Sequence, residues 1–354
     1  MRVLVVTHHL APELLTLWRE AARGDVDLHL AGAVDGPATE AFEVRSALPD
    51  WAPSYGFRPR DVTRRGLLWW WYPGLGRLIR SLRPDVVHVN GEPWAVLVTQ
   101  ALHSGARVVA HGADNMFGHG PRAEVLARLA VARRNLRRSA AYVSWNAAGA
   151  ALARTHGLPP SAPTLVAPAV LPDPAAYRGL AREERPYTVG FLGRLDPLKG
   201  VDLLLNAARA AGVERLVIGG AGPDRPRLEA LGAHLAGPVP HAEVPAFLAG
   251  LDVLVVPSVT TPTGAEQFGR VVVEAMWAGT PVVVSDSGAL PEVAGDGGVV
   301  VPEGDVSALA AALTGLRDPA ARAALSAKGA ARVRAAYDPA VVARDLLGLW
   351  SSVG

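Results

Sequence analysis

YTVGFLGRLDPLKGVDLLLNAARAAG, residues 187–212, runs from a short apolar segment through a charged loop into a helix-like stretch. An apolar run without polar alternation reads as a strand buried on both faces, and such strands belong to parallel sheets. The pattern recurs downstream in RLVIGGAG (215–222), LDVLVVPS (251–258), PVVVSD (281–286) and GGVVVP (297–302). Upstream, RVLVVT (2–7), DVDLHLAG (25–32), DVVHVNG (85–91), ARVVAHG (106–112) and AAYVSWN (140–146) carry it too, with helix-like LTLWREAAR (15–23) and AEVLARLAVARRNLRR (123–138) between some of them. Strands alternating with helices predict doubly wound α/β structure, here twice in tandem.

Between the halves lies LPPSAPTLVAPAVLPDPAA (158–176), which ends near the polar stretch REERPY. Proline runs continue neither helix nor sheet, so this passage is expected to be an inter-domain linker. The predicted division is residues 1–172, residues 173–336, and a C-terminal helix, 337–354, able to dock back on the first domain. The helical end is expected to break at Asp338-Pro339.

A chain of 354 residues with half its positions apolar is long enough for two cores. No apolar run reaches the ~18 to 20 residues that cross a bilayer, and MRVLVV lacks the layout of a signal peptide, so a soluble, cytoplasmic protein is expected. The absence of cysteine excludes disulfides, thiolate nucleophiles and Cys-ligated metals. Arginine outnumbers lysine 33 to 2, a coding bias rather than a sign of nucleic acid. Residues 1–178 carry a formal charge of +6 and residues 179–354 carry −4, which marks the halves as different modules.

In open parallel sheets ligands bind at the carboxyl ends of strands. After the strand at 187–192 come Arg194 and Lys199, a fork and a point charge suited to two oxygens of a pyrophosphate, or equally two solvated loop charges. After LVVPS comes VTTPTGAEQFGRVVVEAMWAG, in which Glu266 precedes an apparent helix entry and Glu274 sits among apolar residues inside the helix. Free N–H groups at a helix entry attract anions. A phosphate there would leave Glu266 and Glu274 on either side to accept from hydroxyls, a set that describes a sugar nucleotide. The plainer reading is one glutamate favouring the helix dipole and another paired locally.

GR-x4-KG followed by E-x7-E, continuing through PVVVSDSGALPEVAGDGGVVVPEGD, closely resembles the retaining glycosyltransferases of family 4 across roughly residues 187–315. The resemblance implies a GT-B fold of two Rossmann-like domains facing a central cleft, a UDP- or GDP-sugar as co-substrate, no cofactor and no metal. It implies that Arg194 and Lys199 bind the donor pyrophosphate, that Phe268, Gly269 and Arg270 offer N–H groups, that Glu266 reads donor-sugar hydroxyls and that Glu274 accepts from the ribose. Val239, in GPVPHAEV, falls where such enzymes hold the base through main-chain groups. In AHGADN, His111 matches the family's post-strand histidine expected to approach the donor sugar, with a structural hydrogen-bonding histidine as the alternative; Asn115 lies beside it on the acceptor side.

The first half departs from the family pattern. A Gly-rich turn is replaced by VTHHLAPELL, which places His8 and His9 on the acceptor side, and Glu92-Pro93-Trp94 follows the DVVHVNG strand as in some relatives. The acceptor class is therefore left as a glycan, a lipid-linked saccharide or a small natural product, with no nucleic acid. Clustered Arg with Trp69, Trp70, Trp71 and Tyr72 in segment 58–83 suits peripheral contact at the inner face of a membrane, or equally a core aromatic cluster or a hydrophobic wall for a small aglycone. Asp25-Val26-Asp27 has the spacing of a D-x-D metal motif but precedes a strand, and reads as a turn. A nucleotide-sugar epimerase and a non-catalytic nucleotide-sugar binder are the competing functions, while a dehydrogenase is disfavoured because GGAGPD lacks the third glycine of a dinucleotide fingerprint.

Overall fold

Valine-rich runs become strands here because helices cover both faces of each sheet: all four residues of Val253–Val256 and the first four of Val86–Asn90, His88 among them, are buried. The computed structural model describes residues 1–10, 15–33, 51–57, 60–61, 70–116, 122–180, 185–262 and 264–354. It divides into unit 1, Met1–Leu171 with Pro339–Gly354, and unit 2, Pro172–Asp338.

The strands of unit 1 are β1 (Arg2–His9), β2 (Asp27–Ala33), β3 (Ser54–Phe57), a separate antiparallel pair β4 (Arg60–Asp61) and β5 (Trp70–Trp71), then β6 (Val86–Asn90), β7 (Val108–Gly112), β8 (Ala141–Ser144) and β9 (Thr164–Val166). The parallel sheet has the order β3-β2-β1-β6-β7-β8-β9. Its helices are α1 (Thr16–Ala21), α2 (Leu75–Leu82), α3 (Val96–Leu102), α4 (Arg122–Leu136) and α5 (Ala147–Thr155). Side chains alternate between the faces of a strand. Leu4, Val6, Val87, Val89, Val108 and Ala110 pack in one cluster with Leu75, Ile79, Leu97 and Val98 of α2 and α3. On the other face His88 meets Trp18 of α1 and Trp350 of the returning helix Pro339–Val353.

Two expectations change in unit 1. The proline-rich passage is not linker throughout, because Thr164–Val166 pairs with β8 as the edge strand β9. Prolines are tolerated there since a missing N–H at an edge breaks no central ladder. His8 and His9, expected in a loop, are the last residues of β1, which an irregularity between Val6 and His9 carries on to pair with Ala33.

Unit 2 has β10 (Thr188–Leu192), β11 (Arg215–Gly219), β12 (Leu235–Gly237), β13 (Val253–Val256), β14 (Val282–Ser285) and β15 (Gly298–Val301), all parallel, in the order β12-β11-β10-β13-β14-β15. Its helices are α6 (Val201–Ala210), α7 (Arg225–Ala230), α8 (Val244–Ala249), α9 (Arg270–Trp277), α10 (Leu290–Ala294), α11 (Val306–Gly315) and α12 (Pro319–Ala336); α13 is the Pro339–Val353 helix of unit 1. Strand order reverses between β10 and β13, and at such a switch point the connections part and open a crevice at the carboxyl ends of the strands.

Candidate donor site

The loops that leave β10 and β13 bring the motif residues together at this switch point. The loop after β10 lies against the loop after β11, at a distance only glycine permits. Gly220 has φ 136°, and a Cβ on it would fall 1.8 Å from the Gly193 carbonyl oxygen. The GGAG sequence is thus a packing device for the Gly193–Leu195 backbone. Lys199 ends a short 3-10 turn, and its Nζ donates to Glu266 Oε2 at 2.6 Å. Ser258 Oγ, just beyond β13, donates to the same oxygen at 3.0 Å.

The main chain of Glu266 is held as tightly as its carboxylate. Ala289 N donates to its carbonyl at 2.9 Å, and Gly288, at φ 57°, approaches so closely that a Cβ would fall 2.1 Å from that oxygen. Both partners come from the turn between β14 and α10.

Gly269 opens α9 with φ 74° and no side-chain cap, so the amides of the first turn are not used by a capping side chain. Arg270 and Val271 of that turn line both of two adjoining cavities, about 430 and 400 Å³. Arg194, Lys199, Glu266 and Gly269 line the first, and Arg194, Val239, His241 and Glu274 line the second. Phe268, expected to offer its N–H, lines neither: its ring is buried against Tyr337, with ring centres 5.5 Å apart, and Val271 takes the place in the wall.

Glu274, the carboxylate among apolar residues, is 3% exposed and has a protein partner that the sequence reading did not assign. Arg270 Nε lies 3.1 Å from its Oε1, one helical turn back. Burial pushes the carboxyl's pKa up, and Arg270 and His241 work against that rise. Asp196, a residue that sequence reasoning passed over, lies 2.6 Å from Arg194 Nε. Each of the three cations, Arg194, Lys199 and Arg270, thus faces a carboxylate.

Unit 1 places its candidates differently. His111 lies within β7 rather than after it, and is fully buried. Trp350 Nε1, which can only donate, bonds His88 Nδ1 at 3.0 Å; His88 Nε2 then donates to His111 Nδ1 at 2.9 Å, and His111 Nε2 to the Ala167 carbonyl at 2.8 Å. That order fixes both tautomers as neutral. Burial lowers the His88 pKa well below its ordinary value and brings that of His111 down to about 4. Both ring nitrogens of His111 are committed inside unit 1, the arrangement of the structural hydrogen-bonding alternative. The cause is strand register: a side chain at this position points to the face covered by α1 and α13.

Glu92 Oε1 accepts from Ala113 N at 2.9 Å and Asp114 N at 3.1 Å, so it braces the loop after β7. Burial, with Asp114 nearby, pushes its carboxyl up to about 8. Asn115 is half-buried in that braced loop, and His8 is half-buried at the end of β1; the His9 side chain lies outside the described residues. Of segment 58–83, residues 58–59 and 62–69, Trp69 included, also lie outside them. Tyr72 is core, its hydroxyl donating to Thr7 O at 2.9 Å, whereas Trp71 is 42% exposed. Asp27 opens β2 and pairs with Arg2 at 2.6 Å and His29 at 3.0 Å. Among the described residues no group of three or more His, Cys, Asp or Glu is placed to hold a metal, and no helix is long and apolar enough to cross a membrane.

Two Rossmann-like units of this strand order define the GT-B class of fold. Solved structures agree over nearly the whole chain. Anabaena Alr3699/HepE in complex with UDP and glucose superposes with a TM-score of 0.72 at 19% identity, covering 99% of this chain and 100% of that one. Sucrose-phosphate synthase from Thermosynechococcus elongatus superposes with 0.72 at 19%, covering 100% and 99%. Residues 186–318, which fall within unit 2, match the family model described as glycosyl transferases group 1. The phosphatidyl-myo-inositol mannosyltransferase of Mycobacterium leprae (strain TN) is 40% identical over 179 residues, 47% of this chain and 46% of that protein. The D-inositol 3-phosphate glycosyltransferase of Mycobacterium marinum is 39% identical over 173 residues, 46% of this chain and 36% of that protein. The chain thus matches less than half the length of these two curated relatives.

Proposed function

We propose that this chain is a retaining glycosyltransferase that moves a sugar from a nucleoside-diphosphate sugar to a hydroxyl acceptor. The carrying observation is the convergence at the β10/β13 switch point of Arg194, Lys199, Arg270 and the opening turn of α9, with Glu266 and Glu274 in the walls of the same cavities. Cations and amides suit a diphosphate, and carboxylates suit hydroxyls of the sugar and ribose. The base would lie near Val239.

As the glycosidic C–O bond breaks, the sugar gains positive charge and the departing diphosphate gains negative charge. Arg194, Lys199 and the α9 entry are aimed at that second charge, and such preorganised groups are the largest catalytic contribution in many enzymes. They supply compensation without a metal. The acceptor oxygen attacks on the face the phosphate leaves, its proton passes to the departing phosphate oxygen, and the anomeric configuration is kept.

Donor binding is assigned to unit 2 and acceptor binding to unit 1, where His8, His9, Glu92 and Asn115 lie at or near the strand ends. The names of the relatives favour an inositol-containing acceptor, free as a phosphate or lipid-linked. A lipid-linked acceptor would bring the chain to the cytoplasmic face of a membrane, and among the described residues Trp71 is an exposed aromatic available for that contact.

The test incubates the protein with UDP- and GDP-sugars, alone and with inositol phosphate or phosphatidylinositol vesicles. Nucleoside diphosphate released together with an α-linked product from an α-linked donor is the expected result. Isomerised donor would make the protein an epimerase, and binding without turnover would make it a binder.

A further inference from the structure

Asp196 is placed in a way that folding alone does not account for. It precedes the 3-10 turn Pro197–Lys199 at the capping position, where aspartate ordinarily accepts a backbone N–H, yet its side chain makes no capping bond. The residue is 7% exposed, and both carboxylate oxygens are buried without a hydrogen bond of good geometry. A buried carboxylate left in that state is costly unless a charge compensates it. Its compensation is Arg194 Nε at 2.6 Å, on a side chain that is itself 74% exposed.

The contact of the pair is made at Nε, on the side edge of the guanidinium. Contact through Nε leaves Nη1 and Nη2, the edge with two parallel donors, for another partner, and Arg194 lines both cavities. An arginine on a loop loses rotamer freedom when it binds phosphate, and a fixed counter-charge at Nε removes part of that loss beforehand. Asp196 is itself fixed from behind: Lys199 N donates to its carbonyl at 3.0 Å and its own N–H bonds the Arg194 carbonyl at 3.2 Å.

We propose that Asp196 is a positioning residue for the donor diphosphate, which holds Arg194 by Nε so that the guanidinium presents its two-donor edge to the phosphate oxygens. The proposal rests on the donor-site reading above, and it assigns to Asp196, in the wall of the first cavity, a role that acts through Arg194.

The test is a double-mutant cycle on the full chain, with UDP and GDP titrated calorimetrically into the wild type, Asp196→Ala, Arg194→Ala and the double variant. Loss of Asp196 is expected to weaken the preferred nucleotide about five- to tenfold, the scale of one oriented charge-assisted hydrogen bond. The double variant is expected to bind no more weakly than Arg194→Ala alone, since residues acting through one contact are not additive. Asp196→Asn, which keeps the shape and one acceptor oxygen, should recover part of the loss and stands in should the alanine variant not fold. Unchanged or tighter binding in Asp196→Ala and Asp196→Asn overturns the proposal, as does an additive double variant. Failure of the wild type to bind either nucleotide removes the donor reading itself and this role with it.

Discussion

Lys199 and Glu266 meet at 2.6 Å, so each fixes the other before any ligand arrives. Replacing Lys199 with Ala removes the charge proposed to face the leaving group and the cation that holds the Glu266 carboxylate, and a drop in turnover of about a hundredfold or more is expected. Glu266→Ala should cut turnover similarly while leaving affinity for the free nucleoside diphosphate nearly unchanged, because its proposed partner is the sugar; steady-state kinetics alongside calorimetry separate the two. Burial, with Asp114 nearby, pushes the Glu92 carboxyl up from its ordinary 4.5 to about 8 in the folded chain. The folded state therefore binds the proton more tightly, and the stability this gives is present in acid and lost as pH rises through that window, levelling off above 8. His88 and His111 have the opposite sign and are complete once pH passes their ordinary value of 6.5. Between pH 6.5 and 8 the denaturation midpoint of unit 1 should fall in the wild type and stay flatter in Glu92→Gln. A slope equal in both proteins would remove Glu92 as its source. The GR-x4-KG and E-x7-E residues were legible in sequence because their spacing sets them after strands and at a helix entry. Burial of His111 was not, since Trp18, which packs against it, and Trp350, which packs against its partner His88, come from distant parts of the chain.

Among the elements, the turn between β14 and α10 does work that its sequence, SDSGAL, does not announce. Gly288 allows the Glu266 main chain to sit against it, so Gly288→Ala should shift Glu266 away from Lys199 and weaken sugar-nucleotide binding more than nucleotide binding. Gly304→Ala is the control, for its φ of 77° carries the same backbone strain with nothing within 4 Å to displace. Comparable losses in the two variants would show strain rather than displacement. Apolar strands were legible even at four residues, as in β13, β14 and β15, because burial calls for an unbroken branched run. The edge strands β3, β9 and β12 were not: SYGF, TLV and LAG carry no such run, and proline beside β9 reads as a break. Edge position is settled by neighbours distant in sequence, here β2, β8 and β11.

At the scale of the molecule, unit 1 is assembled from two separated pieces of chain, joined by α13 and the hydrogen-bonded series from Trp350 through His88 and His111 to Ala167. Trp350→Phe leaves His88 Nδ1 buried without its donor and opens space where the second indole ring packed, and should cost unit 1 about 2–4 kcal/mol. Hydrogen exchange read strand by strand should show faster opening in β6 and β7 and no change in β13 and β14. Residues 172–338, the whole of unit 2, lie between the pieces. On the ribosome, where domains fold as they emerge, the sheet of unit 1 is exposed on its Trp18 face until all of unit 2 has been synthesised. The unit made first is therefore the unit finished last. A nascent chain stalled within unit 2 would present that uncovered apolar face to chaperones and proteases, so release of a folded unit 1 reports that unit 2 has already been translated.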